Sequence, residues 1–315
     1  MPKIRHAFLL ALAAMTGGVA GFVAGIGLDS RQEQAGSGIG MERVRRMLAI
    51  PAADKADVEK YNAFGQLIYW PGKRAVPRPE ITASTIIAVV FGQSNAGNHG
   101  GQRTDAADAA VLNYSEGKFF EARDPLLGSS GIGGSPWPLM AKHLLAAKAA
   151  DRVLLLPAAI AGSSVADWSR GHPLYRMLEQ RLNAARADGL QVTHFLWHQG
   201  EEDNGAGGYR RVTPAQYAAG MRELIGLTKS IFPKSRFFVA IATRCGAAFP
   251  VDQKLRAVQI DLQKIDGVFA GPDTDAIYGT FDRFDDCHFS ATGLANHGAA
   301  WAAALTSPSA PAAPK

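Results

Sequence analysis

Cysteine is nearly absent from this chain: Cys245 and Cys287 are too few for a disulfide-built scaffold and exclude a four-cysteine zinc site. Metal-ligand patterning is missing as well. His99, His143, His172, His194, His198 and His297 lack paired ligand spacing and are expected in the core or on the surface. Charge is sparse, at 19% of 315 residues, with 33 Lys and Arg against 28 Asp and Glu. Without Lys3 and Arg5 the balance is 31 against 28, and no basic stripe interleaved with aromatics appears, so a nucleic-acid partner is excluded. No internal repeat is present. What remains is an ordinary globular composition, 47% hydrophobic, long enough for one large domain or two small ones.

Residues 2–6 carry positive charge, and Ala7 to Leu28 follow without a charged residue, a membrane-targeting pattern read as a signal anchor or a signal peptide over 1–28. Lys3 and Arg5 would stay in the cytoplasm, so the rest of the chain is expected outside it, membrane-anchored or secreted. Residues 29–84 read as a flexible linker and a short helical pre-domain. Apolar residues recur at helical spacing over Met41 to Ala49 and over Asp54 to Tyr69, before Pro71, Pro77 and Pro79 break the pattern. From Thr85, four apolar runs (Thr85 to Phe91, Val153 to Ile160, Val192 to Trp197, Arg236 to Ala242) alternate with helical periodicity over Trp137 to Ala149, Leu174 to Ala187, Pro214 to Ile231, Gln253 to Ile265 and Leu294 to Leu305. Such alternation predicts an α/β domain over 85–306, three layers around a mainly parallel sheet, and the Pro/Ala-rich residues 307–315 read as a disordered tail.

Parallel strands deliver whatever follows them to one edge of the sheet. The first run ends in Gly92-Gln93-Ser94-Asn95, the second is followed by Ala161-Gly162-Ser163-Ser164, and the third by His198-Gln199-Gly200-Glu201-Glu202-Asp203. Asp285-Asp286-Cys287-His288 precedes the last helix. Acyl transfer needs a hydroxyl, a base, a carboxylate to fix the base, and donors aimed at the oxyanion. Ser94 fits the nucleophile, His288 the base and Asp285 the orienting carboxylate, while the N–H groups of Ser94 and Gly162 with the Gln199 side chain fit the oxyanion donors. A single serine after a strand is more often a turn residue bonding its own backbone; convergence of the other groups raises Ser94 above that. Glu201, Asn95 and Asp203 are expected to orient substrate or hold loops, and Trp137 and Trp168 to be buried. The loop fails the Gly-x-Ser-x-Gly elbow, because Ala96 stands at the second glycine.

These blocks together resemble the SGNH hydrolases, and within them the sialate O-acetylesterase-like, family-six carbohydrate esterase group. The resemblance runs from about Thr85 to Leu305 and is supported by Trp168 and Asp124-Pro125-Leu126. It implies a flavodoxin-like fold and a cofactor-free esterase removing acetyl groups from carbohydrate, with Gln199 where other SGNH hydrolases carry asparagine. Ala96 departs from the methionine more frequent there. Two other readings stay open: a carbohydrate O-acetyltransferase using the same triad, and a non-catalytic carbohydrate-binding protein of the envelope. Cys245 and Cys287, on two carboxyl-edge loops of an exported chain, are expected to pair. Of the neighbouring carboxylates, Asp285 is expected to face His288, and Asp286 to turn away and stay solvated.

Overall fold

The computed structural model describes residues 58–105, 108–205, 212–247 and 249–306. The membrane segment expected over 1–28, the linker and helix expected over 29–49, and the tail over 307–315 lie outside these residues. Among the described residues no helix is long and apolar enough to cross a membrane.

The helix expected over Asp54 to Tyr69 is not what the described part forms. Lys60–Tyr61 (β1) and Leu67–Tyr69 (β2) pair antiparallel. The Asn62 side chain accepts from the N–H groups of Phe64 and Gln66, and Gly65 turns the chain at φ +75°. Ala75–Val76 (β3) then joins the edge of the main sheet, and Leu67 is fully buried, bonded through its backbone to Gly128 and Ser129. Through β3 and Leu67 the described residues before residue 85 are tied to the main sheet and its loops.

The remaining elements follow in order: Thr85–Gly92 (β4), Val111–Ser115 (β5), Lys118–Glu121 (β6), Trp137–Ala146 (α1), Arg152–Pro157 (β7), Pro173–Ala187 (α2), His194–His198 (β8), Pro214–Ile231 (α3), Arg236–Ile241 (β9), Gln253–Asp261 (α4), Val268–Asp273 (β10) and Ala291–Thr306 (α5). The eight-stranded sheet runs β10-β9-β8-β4-β7-β5-β6-β3, with parallel pairing from β10 through β5 and antiparallel pairing at the β6 and β3 edge. Sequence reading missed β5, β6 and β10. β5 and β6 make a hairpin whose turn, Glu116 and Gly117, has φ of +50° and +76°, and β10 carries Gly271 and Pro272 in a half-exposed edge strand. Leaving that hairpin aside, β4, β7, β8, β9 and β10 stand in the order 2-1-3-4-5, and β4 is where the order reverses.

All eight residues of β4 are buried, because both faces of the strand are covered. Ile87, Val89 and Phe91 pack with Leu178 and Leu182 of α2 and Tyr217, Met221 and Leu224 of α3. Ile86, Ala88 and Val90 pack on the other side with Met140 and Leu144 of α1 and Trp301 and Leu305 of α5. The strand's period of two thus feeds two cores, giving helix, sheet and helix layers; each large aliphatic side chain so buried contributes about 1.5–3 kcal/mol. The strand emerges rigidly anchored at its carboxyl end, where Ser94 follows.

Candidate active site

At Gly92 the backbone has φ +129°, and a Cβ there would lie 2.0 Å from the His198 carbonyl oxygen. Glycine is therefore required where β4 passes β8 into its turn. Gln93 donates its N–H to His198 O at 3.1 Å, and its Oε1 accepts from the N–H groups of Gly200 and Glu202 at 3.2 and 3.1 Å. That stitch fixes the turn after β4 to the loop after β8. Ser94 opens a 3₁₀ turn, Ser94–Ala96, and is 7% exposed. Its hydroxyl has no hydrogen-bond partner among the described residues, unlike a turn serine that bonds its own backbone.

The N–H groups of Ser94 and Gly162 are likewise without partners among the described residues. Gly162 reaches its position with φ +64°, five residues past the end of β7 after Ile160 N–H bonds Gly92 O. Gln199 differs from the expectation that it supplies a third donor. Its Nε2 donates to Ser163 O at 3.2 Å and to Asp203 Oδ2 at 2.8 Å, which engages both amide hydrogens, and its buried Oε1 has no partner. Here Gln199 holds the Gly162 loop rather than presenting an N–H. Asp203, 1% exposed, completes that hold by accepting from Ser164 Oγ at 2.5 Å and Val165 N at 2.6 Å. Burial pushes Asp203 up to about 6 against these three donors.

His288 arrives on the loop between β10 and α5. Its Nδ1 lies 2.6 Å from Asp285 Oδ2, and Asp285 Oδ1 accepts from the backbone N–H groups of His288 and Cys287 at 2.6 and 3.0 Å. Partial burial raises the Asp285 carboxyl, but the bonds from the His288 ring and backbone outweigh it, so the group titrates below its ordinary value. Asp286 turns away, at φ +68°: it accepts from Ala247 N at 3.0 Å and from the Tyr278 hydroxyl. It is exposed, as expected, yet tied down rather than only solvated. Cys245 and Cys287 form the expected disulfide, joining this loop to the one after β9.

Asn95 links the two halves. Its Nδ2 donates to Glu201 Oε1 at 3.0 Å and to Cys287 O at 3.4 Å, so the residue after Ser94 meets the residue before His288. Glu201 is 2% exposed and also accepts from His198 Nε2 at 3.0 Å. Burial alone would raise its pKa, but His198 and Asn95 reverse that and hold it well below the carboxylate range. The chain continues inward: the Trp301 indole, which can only donate, bonds His297 Nε2 at 2.9 Å, and His198 Nδ1 meets the same nitrogen at 3.1 Å. Glu201 and Asp203 therefore act as loop-holding carboxylates, and no metal-binding cluster occurs among the described residues.

Two ring contacts were not legible beforehand. His99, expected as a core or surface residue, stacks on His288 with centroids 5.7 Å apart and planes at 26°, and its Nε2 lies 3.1 Å from Ser130 Oγ. Burial, reinforced by His288, lowers its pKa to about 4, so the ring beside His288 is neutral near pH 7. Phe284 stacks on the same imidazole at 6.1 Å and 28° while 56% exposed. Trp137 and Trp168 are fully buried.

A model of the family described as "Carbohydrate esterase, sialic acid-specific acetylesterase" matches residues 84–307. The chain belongs to this family, whose class is that of hydrolases acting on ester bonds. Among curated proteins, a probable carbohydrate esterase of Arabidopsis thaliana is 28% identical over 141 residues, 37% of this chain and 54% of that protein, so the chain spans about half the length of the curated relative it matches. A solved Arabidopsis thaliana structure superposes with a TM-score of 0.57 at 21% identity, covering 71% of this chain and 98% of that one, and shows the same α/β fold. The structure of NanS gives a TM-score of 0.49 at 16% identity over 70% of this chain and 96% of that one.

Proposed function

We propose that this protein is a serine esterase that removes O-acetyl groups from carbohydrate. The observation that carries the reading is the Asp285–His288 pair, held at 2.6 Å on a loop that Asn95 ties to the Ser94 turn, together with a serine hydroxyl and two N–H groups that have no other engagement among the described residues. Asp285 accepts from Nδ1–H, which leaves Nε2 of His288 as the base. Ser94 Oγ attacks the acetyl carbonyl as Nε2 takes its proton, and the N–H groups of Ser94 and Gly162 receive the oxyanion. The C–O bond to the sugar breaks, His288 returns the proton to the departing sugar oxygen, and an acetyl-Ser94 intermediate remains. Water then attacks that ester with His288 again as base, releasing acetate and restoring the serine. No step calls on a cofactor.

Family membership and the name of the Arabidopsis relative support a carbohydrate ester as substrate. The Cys245–Cys287 disulfide supports export, in keeping with Lys3, Arg5 and the uncharged Ala7 to Leu28, which we read as a membrane anchor or cleaved leader. The reading is tested by hydrolysis of an activated acetyl ester and its butyryl homologue, with Ser94→Ala as the blank. Ser94-dependent turnover that prefers acetyl is expected; turnover surviving in the blank would remove the assignment. Product analysis with a sugar acceptor separates hydrolysis from transfer of the same acetyl group.

A further inference from the structure

An ester has an acyl side and an alcohol side, and the mechanism says which one meets His288. The histidine must protonate the departing oxygen, so the alcohol portion passes beside its ring. What borders that ring therefore selects the alcohol. Two rings stack on it: His99, which is half-buried and bonded to Ser130, and Phe284, which is 56% exposed. Of the two, Phe284 is the ring that faces water.

Exposure of an aromatic is informative only against the rest of the surface. Among the described residues, seven large apolar side chains are exposed: Val58, Tyr61, Ile81, Ile132, Ile260, Phe281 and Phe284. Phe281 and Phe284 stand on the His288 loop, and Ile132 on the loop whose Gly133 N–H bonds Asn98 O, just beyond the Ser94 turn. Three of the seven thus border one end of the sheet. Packing for stability does not explain Phe284, since a ring left more than half in water gains little from burial. The ring is nonetheless held in place: a Cβ on Gly101 would come within 2.9 Å of it, so the loop after β4 is shaped around it by glycine.

We propose that Phe284 is the platform on which the sugar ring of the substrate stacks, and hence a specificity-determining residue for the alcohol side of the ester. A pyranose presents an apolar C–H face to an aromatic ring while its hydroxyls remain in water, which suits a ring fixed at one edge and open at the other. The inference rests on the esterase reading above and adds the position and chemistry of the leaving-group subsite.

The test compares two substrates that share the acetyl group: a methyl pyranoside bearing a single O-acetyl group, and ethyl acetate, whose alcohol is too small to reach the platform. Phe284→Ala is expected to raise KM for the sugar ester about tenfold and KM for ethyl acetate less than about twofold, with any loss of kcat from unstacking His288 equal on the two substrates. Phe284→Trp should restore the sugar KM. Two outcomes overturn the platform while leaving the esterase reading intact: an unchanged sugar KM in Phe284→Ala, or an equal KM rise for both substrates, either of which would make Phe284 only a support for His288. A wild-type protein with no Ser94-dependent hydrolysis of either ester is a different result and removes the esterase reading itself. Hydrolysis of ethyl acetate alone would remove the sugar and, with it, the platform.

Discussion

The two halves of the site are built in opposite ways. Ser94, Gly162 and Gln199 follow β4, β7 and β8 in the middle of the sheet, and the groups that hold them (Gln93, Glu201, Asp203) are buried polar side chains bonding across three loops. Asp285 and His288 follow the half-exposed edge strand β10, on a loop with a single 3₁₀ turn and an isolated Arg283–Phe289 bridge, held by a disulfide, by Asp286 on the neighbouring loop, by Arg283 bonding the carbonyls of Thr274 and Ile277, and by Asn95 reaching across. Buried hydrogen bonds can fix the first half because water does not compete for their donors. The second half has no such shelter, and a covalent tether does for it what burial does for the other. On the proposed mechanism the sheltered half fixes the oxyanion donors and the tethered half brings the base.

The largest effects should come from breaking either half at its reacting atoms. Ser94→Ala, His288→Ala and Asp285→Asn are each expected to lower turnover on one acetyl ester by about 10⁴-fold, with folding retained, as for triad deletions generally. Near wild-type turnover in any of them would reassign that role; for Asp285 the next carboxylate to examine would be Glu201.

Next comes the tether. Cys245 and Cys287 are 42 residues apart in sequence, and a loop of that length gives about 4 kcal/mol of chain-entropy stabilisation. Cys245→Ser with Cys287→Ser should lower stability on that scale in a denaturant titration and reduce turnover through the His288 loop, leaving the sheltered half in place. A double variant as stable as wild type would show that hydrogen bonds alone hold this loop.

On the sheltered side the comparison is sharpened by Asp203. Asparagine has one acceptor oxygen for three donors, so Asp203→Asn should release either Gln199 or the Ser164–Val165 backbone and lower kcat by about 10²-fold, near the effect of losing one oxyanion donor, with KM little changed. Its effect on stability runs the other way. The carboxyl titrates at about 6 when folded and at 3.8 unfolded, so the folded state binds the proton more tightly between those values, and stability falls as pH rises from about 4 to about 6. The asparagine variant should lose that slope. An unchanged kcat, or the same slope in melting temperature against pH, would count against Asp203 as the residue that positions the Gly162 loop.

How much of this was legible in the sequence follows the same divide. β4, β7, β8 and β9 were readable because strands covered on both faces leave uninterrupted apolar runs, and parallel pairing then placed Ser94, Gly162 and Gln199 at one edge, while Asp285 and His288 were read from their own spacing before the last helix. The β1–β2 hairpin was misread because Val58, Tyr61, Phe64 and Ile68 happen to keep helical spacing, while the turn chemistry of Asn62 and Gly65 decides the structure. β10 escaped because an edge strand with Gly271 and Pro272 has no such pattern. Partner choice was legible for Asp285 with His288 and for Cys245 with Cys287, and not for the buried amide and the stacked rings. Nothing in the spacing of Gln199 says that Asp203 and Ser163 occupy its amide, or in that of His99 and Phe284 that both stack on His288, since these contacts exist only once the loops meet.

The smallest predicted effect tests the tethered half most finely. Asp285 and Asp286 are adjacent and chemically identical, yet only Asp285 bonds the His288 ring, whereas Asp286 at φ +68° accepts from Ala247 N and the Tyr278 hydroxyl. Asp286→Asn keeps a carbonyl oxygen for Ala247 and an amide facing the tyrosine oxygen, and asparagine tolerates the left-handed backbone as well as aspartate does. Loop and imidazole should therefore stay in place, and turnover should fall less than tenfold, under about 1.4 kcal/mol of barrier. Measured beside Asp285→Asn on the same acetyl ester, the pair should differ by about a thousandfold or more. The reverse ranking would move the orienting carboxylate to Asp286. A small effect from both would mean that the stacked rings and the disulfide, without any carboxylate, suffice to hold His288 in its working tautomer.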